Sequence, residues 1–336
     1  CNPPAAKETP VSDETNEIVA VDIGGTHARF ALAAIDGGRV AGLSHEQVVR
    51  AADHASLQTA WEGFAATVGR PLPRAAAIAI ASPVGGEVLQ MTNNPWIIRP
   101  ALIPDKLKVD RYALVNDFGA IGYALSQLGP EDFLHVTGPD RPLPDAGVIS
   151  IVGPGTGLGV AHVLRGPHGA HVTETEGGHI DYAPLDSIED AILARLRQNL
   201  RRVSVERVVA GPGLSAIYQA LAALEGRSVA AMTDAELWGL ALAGADPLAA
   251  AALDRFCLSL GAVVGDIALA QGAKAVVLAG GVGLRIADHL PRSGFAERFR
   301  AKGRFAALMA DIPVKLITYP QPGLLGAAAA FLHQHR

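Results

Sequence analysis

The chain has 336 residues, 49% apolar but only 5% aromatic, with 37 glycines and 22 prolines. Its formal charge of −5 carries no basic block, which argues against nucleic acid as the main ligand. No apolar run reaches the roughly 18–20 residues of a membrane span, so a soluble protein without a membrane partner is expected, long enough for about two domains.

Residues 1–16 are polar and Pro-rich, with too little apolar surface to fold, and read as a disordered extension. The start at Cys1 rather than Met suggests a processed or truncated N-terminus. Ile18–Val21 then reads as a buried strand with Asp22 at its end. Gly24 and Gly25 allow a tight turn with bare N–H groups, Thr26 adds a hydroxyl, and Phe30, Leu32 and Ile35 suggest a returning strand. Amides, a hydroxyl and a carboxylate at one turn suit a phosphate-bearing ligand with its divalent metal. An ordinary Gly-Gly hairpin with a chance acid would give the same letters.

A helix is expected over 55–68, then short strands at 75–81 and 111–115. Leu114-Val-Asn-Asp-Phe118 puts Asn116 and Asp117 directly after a strand, where polar residues of α/β folds commonly meet a ligand. Asp117 can take a proton from a hydroxyl and Asn116 can hydrogen-bond a neighbouring one. An Asx turn or cap entering a 119–127 helix is the alternative. The stretch 147–163 repeats the opening pattern: strand, glycine turn with Thr156, second strand.

In Glu174-Thr-Glu-Gly-Gly-His179 the two glycines allow Glu176 and His179 to converge on one ligand, although a solvated acidic loop is the commoner use of such a stretch. Ser187 is placed to cap a helix over 187–201, with Asp190 three residues on. Glu206 is a single acid in an apolar run, compatible with a ligand contact or a helix surface. Helices at 210–224, 246–271 and 324–335 follow, with a strand from 275 running into Gly280-Gly281 and another at 313–318. The two cysteines lack metal-type spacing, and Cys257, within the 246–271 helix, reads as a buried small hydrophobe. His162 and His171 read as structural or surface residues.

Strands alternating with helices indicate α/β architecture, and the two similar openings indicate two related units with a ligand cleft between them. There is no Walker-type phosphate loop, no Gly-x-Gly-x-x-Gly fingerprint, no Gly-x-Ser-x-Gly elbow and no His-Glu-x-x-His.

In order along the chain, Asp22-Ile-Gly-Gly-Thr-His-Ala-Arg-Phe30, Met91-Thr-Asn-Asn-Pro-Trp96, Val115-Asn-Asp-Phe118, Gly153-Pro-Gly-Thr-Gly-Leu-Gly159, Glu176-Gly-Gly-His179, Val203-Ser-Val-Glu-Arg-Val208, Gly211-Pro-Gly-Leu214, Gly280-Gly281, Phe299-Arg-Ala-Lys-Gly-Arg304 and Gly323-Leu-Leu-Gly-Ala-Ala328 resemble the bacterial-type glucokinases of the sugar kinase, Hsp70 and actin superfamily. The resemblance implies a two-domain actin-like ATPase (ribonuclease H-like) fold: a small domain over 17–118 completed by a helix at 320–336, a large domain over 119–319, and an interdomain cleft. It implies glucose phosphorylated at its 6-hydroxyl by ATP with Mg2+, in a cytoplasmic homodimer. Asp117 would be the base, with Asn116, Glu176, His179, Glu206 and, more weakly, Asn94 binding the sugar. Gly24, Gly25 and Thr26 would form one phosphate loop, and Gly155, Thr156 and Gly157 the other. Asp22 would orient Mg2+ through its waters, and Gly280 and Gly281 would pack against adenosine.

His27 departs from the Asn more common at its position, implying a changed contact behind the ligand shell. Neither the Cys-rich zinc motif nor the DNA-binding helix pair of some relatives is present. Other hexoses or N-acetyl sugars as acceptor, polyphosphate as donor, and a non-enzymatic sugar sensor are the competing expectations.

Overall fold

The computed structural model describes residues 16–91 and 93–335. Cys1 and almost all of the extension expected to be disordered lie outside the described residues. The described chain forms two compact units, one from the residues up to Val115 together with those from Ala327 on, the other from Asn116–Gly326.

In the first unit, β1 (Glu17–Ile23) is apolar on both faces, with Ile18 to Val21 and Ile23 fully buried, so both sides of its sheet must be covered. It pairs antiparallel with β2 (His27–Asp36), which pairs in turn with β3 (Arg39–Arg50). On its other side β1 runs parallel to β4 (Ala75–Ile80), six residues all buried. β5 (Leu89–Gln90) and β6 (Ile97–Ile98) form a separate two-stranded ladder, and β7 (Arg111–Asn116) completes the order β3-β2-β1-β4-β7. The helix Leu57–Val68, begun by a Ser56–Thr59 capping box, seats Phe64 on Phe30 with ring centroids 5.4 Å apart. The sequence reading has no strand at β3. This edge strand is mostly exposed, and shifts in its register against β2 break the two-residue alternation that would have revealed it.

The second sheet follows the order β11-β10-β9-β12-β13-β8. Its strands are β8 (Phe133–Thr137), β9 (Gly147–Pro154), β10 (Leu158–Gly166), β11 (Gly169–Thr175), β12 (Ala273–Leu278) and β13 (Val314–Ile317). β9, β10 and β11 form an antiparallel meander, and β12 lies parallel to β9. β1, β2, β3 and β4 have the same relation, so the repeated strand–glycine turn–strand pattern is a repeat of topology. Alternate residues of β12 feed two cores: Ala275 and Val277 pack with Ile121 and Leu125, while Val276 and Leu278 join the core that holds the long helix Pro247–Gln271.

That helix is long and apolar enough, by length and composition, to cross a membrane, although 72% of its apolar window is buried within the protein. Asp254, Arg255 and Asp266 interrupt the run, so an uninterrupted count misses it. Cys257 is buried within it, and burial pushes its thiol up to about 12. Glycines on one side let the helix Phe295–Arg300 come close: a Cβ at Gly261 would lie 2.3 Å from the Phe295 carbonyl oxygen. Lys302 locks the contact, donating to the Ala262 carbonyl at 2.9 Å and pairing with Asp266 at 2.7 Å.

A correction concerns the helix Ser187–Leu196. Its cap is Asp186, not Ser187, and the Asp186 carboxylate accepts from Ile188 and Glu189 N–H while also pairing with Arg255 and Arg298. The two arginines tie this helix start to the long helix and to Phe295–Arg300.

Gly261→Ala is expected to cost about 1–3 kcal/mol by overpacking, since the obstacle is backbone. Gly239→Ala, on an exposed helical position with no neighbour within 4 Å, should instead stabilise by about 0.5–1 kcal/mol. Chemical denaturation of the two variants checks both signs.

Candidate active site

The first glycine turn joins β1 to β2 and is closed by Gly24 N–H donating to the His27 carbonyl at 2.9 Å. Thr26 is exposed, with its hydroxyl 3.0 Å from His27 Nδ1. Asp22, on the last stretch of β1, is 16% exposed and pairs with Arg29 at 3.2 Å. Burial raises its pKa, and the Arg29 guanidinium opposes that rise only in part. Asn94, the weaker sugar candidate, is engaged within its own unit. It is 5% exposed, its amide donates to the Gly24 carbonyl at 2.9 Å, and its oxygen accepts from Trp96 N–H at 2.9 Å. Its amide braces the glycine turn from behind; the exposed member of the pair is Asn93, whose Cβ lies beside Gly25.

The second glycine turn, between β9 and β10, is more tightly hemmed. Gly155 N–H donates to the Gly157 carbonyl at 2.8 Å, and Thr156 is exposed at the tip. Gly153 and Gly159 sit directly opposite each other in the ladder. The ring of Phe118 fills the space where their side chains would stand: a Cβ would lie 2.3 Å from the ring at Gly153 and 1.9 Å at Gly159. Behind the turn, Gly280 has φ +86° and would meet the Pro154 carbonyl oxygen at 2.7 Å if it carried a Cβ. Gly281, next to it, has open space around it.

Asn116 and Asp117 enter this arrangement through Phe118. The helix Asp117–Ala124 begins where β7 ends, and Asn116 caps it by accepting from Phe118 N–H at 2.9 Å and Gly119 N–H at 3.2 Å. The capping alternative therefore holds for the Asn116 oxygen, and its amide group carries the remaining donors. Asp117 is the first helical residue, with Oδ1 accepting from Phe118 N–H at 2.9 Å. Glu174, on β11, accepts from Asn116 N–H at 3.0 Å and packs so close to Gly119 that a Cβ there would lie on its carboxylate.

Glu176 precedes and His179 ends a single turn of 3-10 helix over Gly177–His179, and the two come within 3.8 Å of each other, both largely exposed. Past this turn the chain pairs with the segment before Glu206. Asp181 bridges Ser204, Tyr182 N–H donates to the Val203 carbonyl at 3.0 Å, and Val205 N–H donates to the Ile180 carbonyl at 2.9 Å. This ladder leads into His179 on one side and Glu206 on the other. The Glu206 carboxylate accepts from Leu158 N–H at 2.9 Å, at the exit of the second glycine turn. The second unit thus gathers Asn116, Asp117, Glu176, His179 and Glu206 around one hairpin.

A family model described as glucokinase matches residues 19–335. The chain belongs to the glucokinase family. It is 62% identical over 319 residues to the glucokinase of Zymomonas mobilis, covering 95% of this chain and 98% of that one. Among solved structures, the glucokinase from an Antarctic psychrotroph superposes with a TM-score of 0.82 at 33% identity, over 95% of this chain and 99% of its own. A ROK family glucokinase from Streptomyces griseus, 17% identical, shares the fold with a TM-score of 0.61 over 93% of this chain and 98% of its own. The fold is that of the two-domain actin-like ATPases.

Within the glucokinase pattern, the sequence reading passed over two residues that the geometry brings forward. Phe118 had a signal in the facing glycines 153 and 159, which leave a flat patch on the hairpin for a ring. Glu174 had none, because its partner is a backbone N–H.

Asp22 has a measurable consequence. A carboxylate whose pKa is raised by folding contributes stability below its unfolded pKa, and that contribution is lost as pH rises through the folded value. At pH 7 its charge therefore opposes folding, and Asp22→Asn is expected to raise Tm in the absence of ligand. The difference from wild type should shrink as pH falls toward the raised pKa; thermal melts at several pH values check it.

Proposed function

We propose that this chain transfers the γ-phosphoryl group of ATP to the 6-hydroxyl of glucose, with Asp117 as general base. The observation that carries the reading is the seat of Phe118 on Gly153 and Gly159, which fixes Asp117 beside a glycine turn suited to phosphate. The Streptomyces griseus neighbour was solved in complex with glucose and AMPPNP, which supports a sugar and a nucleotide as the two ligands of this architecture.

Each group then has a task. Gly155–Gly157 offers N–H groups and the Thr156 hydroxyl to phosphate oxygens, and Gly24, Gly25 and Thr26 carry the same kinds of donor. Gly280 and Gly281 form the surface against the adenosine. Glu176 and Glu206 accept from sugar hydroxyls, His179 reads a further one, and the Asn116 amide donates to another. Asp117 takes the proton of the 6-hydroxyl as that oxygen attacks the γ-phosphorus, and the bond to the leaving oxygen of ADP breaks.

Mg2+ fits this set as an ion carried by the nucleotide. No cluster of three or more His, Cys, Asp or Glu suited to a metal occurs among the described residues. Asp22 supplies one hard oxygen donor whose burial leaves its charge undercompensated, and Mg2+ commonly takes one or two carboxylates with phosphates and water as its other ligands. Asp22 would be the residue that holds the ion there, and the ion would supply charge neutralisation for the phosphates. The ATP requirement suits the cytoplasm, and the family resemblance supports a homodimer.

Asp117→Ala is expected to lower kcat by roughly 10²–10⁴-fold with little change in glucose affinity. Glu176→Gln should raise the glucose KM roughly tenfold with a smaller effect on kcat, because an acceptor becomes partly a donor. Steady-state kinetics with glucose, mannose, fructose and N-acetylglucosamine against ATP tests the whole reading. Near-normal turnover by Asp117→Ala, or a higher kcat/KM for another sugar, would overturn it.

A further inference from the structure

Leu158, the residue that leaves the second glycine turn, is gripped by both segments that carry the acidic sugar contacts. Its N–H donates to Glu206 Oε2 at 2.9 Å. Its carbonyl oxygen lies so close to Gly178 that a Cβ there would be 2.0 Å away, so the Glu176–His179 turn can approach only through glycine. Gly157 is equally close to the acid: a Cβ would lie 2.5 Å from Glu206 Oε2. The short helix Glu206–Val209 then carries the chain back to the other end of the same turn, where Gly211 N–H donates to the Gly155 carbonyl at 2.7 Å. The Glu206 segment is thus fastened to both the entry and the exit of the turn.

The geometry points to Glu206 as a shared residue that couples the two substrates, accepting from the sugar with one oxygen while its other oxygen holds the backbone of the nucleotide's phosphate turn. This rests on the reading of Glu206 as a sugar contact and of Gly155–Gly157 as a phosphate turn. A hydroxyl bound to Glu206 fixes the carboxylate, and the carboxylate fixes the Leu158 and Gly157 peptides. By linkage, glucose then tightens nucleotide binding by the same factor as nucleotide tightens glucose.

Calorimetric titration of the intact chain with AMPPNP, with and without saturating glucose, and with glucose alone, tests the coupling. Loss of a charge-assisted hydrogen bond predicts that Glu206→Ala weakens AMPPNP roughly tenfold even without sugar and removes most of the glucose effect. Glu206→Gln keeps one oxygen for Leu158 N–H, so AMPPNP alone should stay within about twofold of wild type while glucose weakens. Gly157→Ala pushes on Glu206 from the turn and should weaken glucose roughly fivefold or more without any nucleotide present.

A Glu206→Ala protein that loses glucose affinity but keeps wild-type AMPPNP binding and the wild-type glucose effect overturns the coupling and leaves Glu206 as a sugar contact. Unchanged glucose binding by Glu206→Ala overturns the sugar contact itself, and the coupling with it. Should Glu206→Ala fail to fold, Gly157→Ala decides: wild-type glucose affinity overturns the proposal.

Discussion

The ring of Phe118, lying on a cross-strand pair of glycines, is the contact on which the arrangement of the second unit's candidate site depends. Gly153 and Gly159 face each other across the hairpin, and no side chain fits at either without displacing the ring. Because Phe118 is the second residue of its helix, the ring fixes where that helix begins, and with it Asp117. Asn116 and Glu174 then finish the job at the backbone, one capping the helix and the other accepting the Asn116 N–H. A carboxylate on a helix end would otherwise move with the fraying of the first turn.

The glycines of Gly153–Gly159 answer to different constraints. Gly153 and Gly159 make room for an aromatic ring, Gly157 for the Glu206 carboxylate, and Gly155 lies in the turn itself, against Gly211. The first glycine turn has the same topology but is less crowded. Its nearest obstacles to a side chain lie at 3.4 Å for Gly24 and 3.2 Å for Gly25. One turn is thus packed from several directions, whereas the other is braced chiefly by Asn94 and closed by its own hydrogen bond. Two openings that look alike in sequence differ in how firmly their surroundings hold them.

Much of this was legible in the residues, and the exceptions have physical causes. Strands buried on both faces, such as Ile18–Val21 and Ala75–Ile80, announce themselves as apolar runs. β3 does not, since an exposed edge strand with register shifts has no clean period. The Asn116-Asp117 pair was open to two readings, and the structure shows the cap: the Asn116 oxygen accepts from Phe118 and Gly119 N–H at the end of β7. Asn93 and Asn94 could not be told apart by pattern, because which one turns inward depends on a carbonyl 70 positions earlier in the chain. Asp186 displaced Ser187 as a cap because two arginines distant in sequence reward a carboxylate there. Long-range partners of this kind leave no local trace.

The unfavourable position of Asp22 has an evolutionary reading. An acid whose burial disfavours its charge costs stability at neutral pH, a cost that mutation and selection tolerate while the fold stays above its threshold. In a lineage that stopped using the first glycine turn, replacement of this acid would be rewarded by stability alone and would be among the early losses. Of the groups at this turn, the acid is thus the one whose loss folding would tolerate most readily.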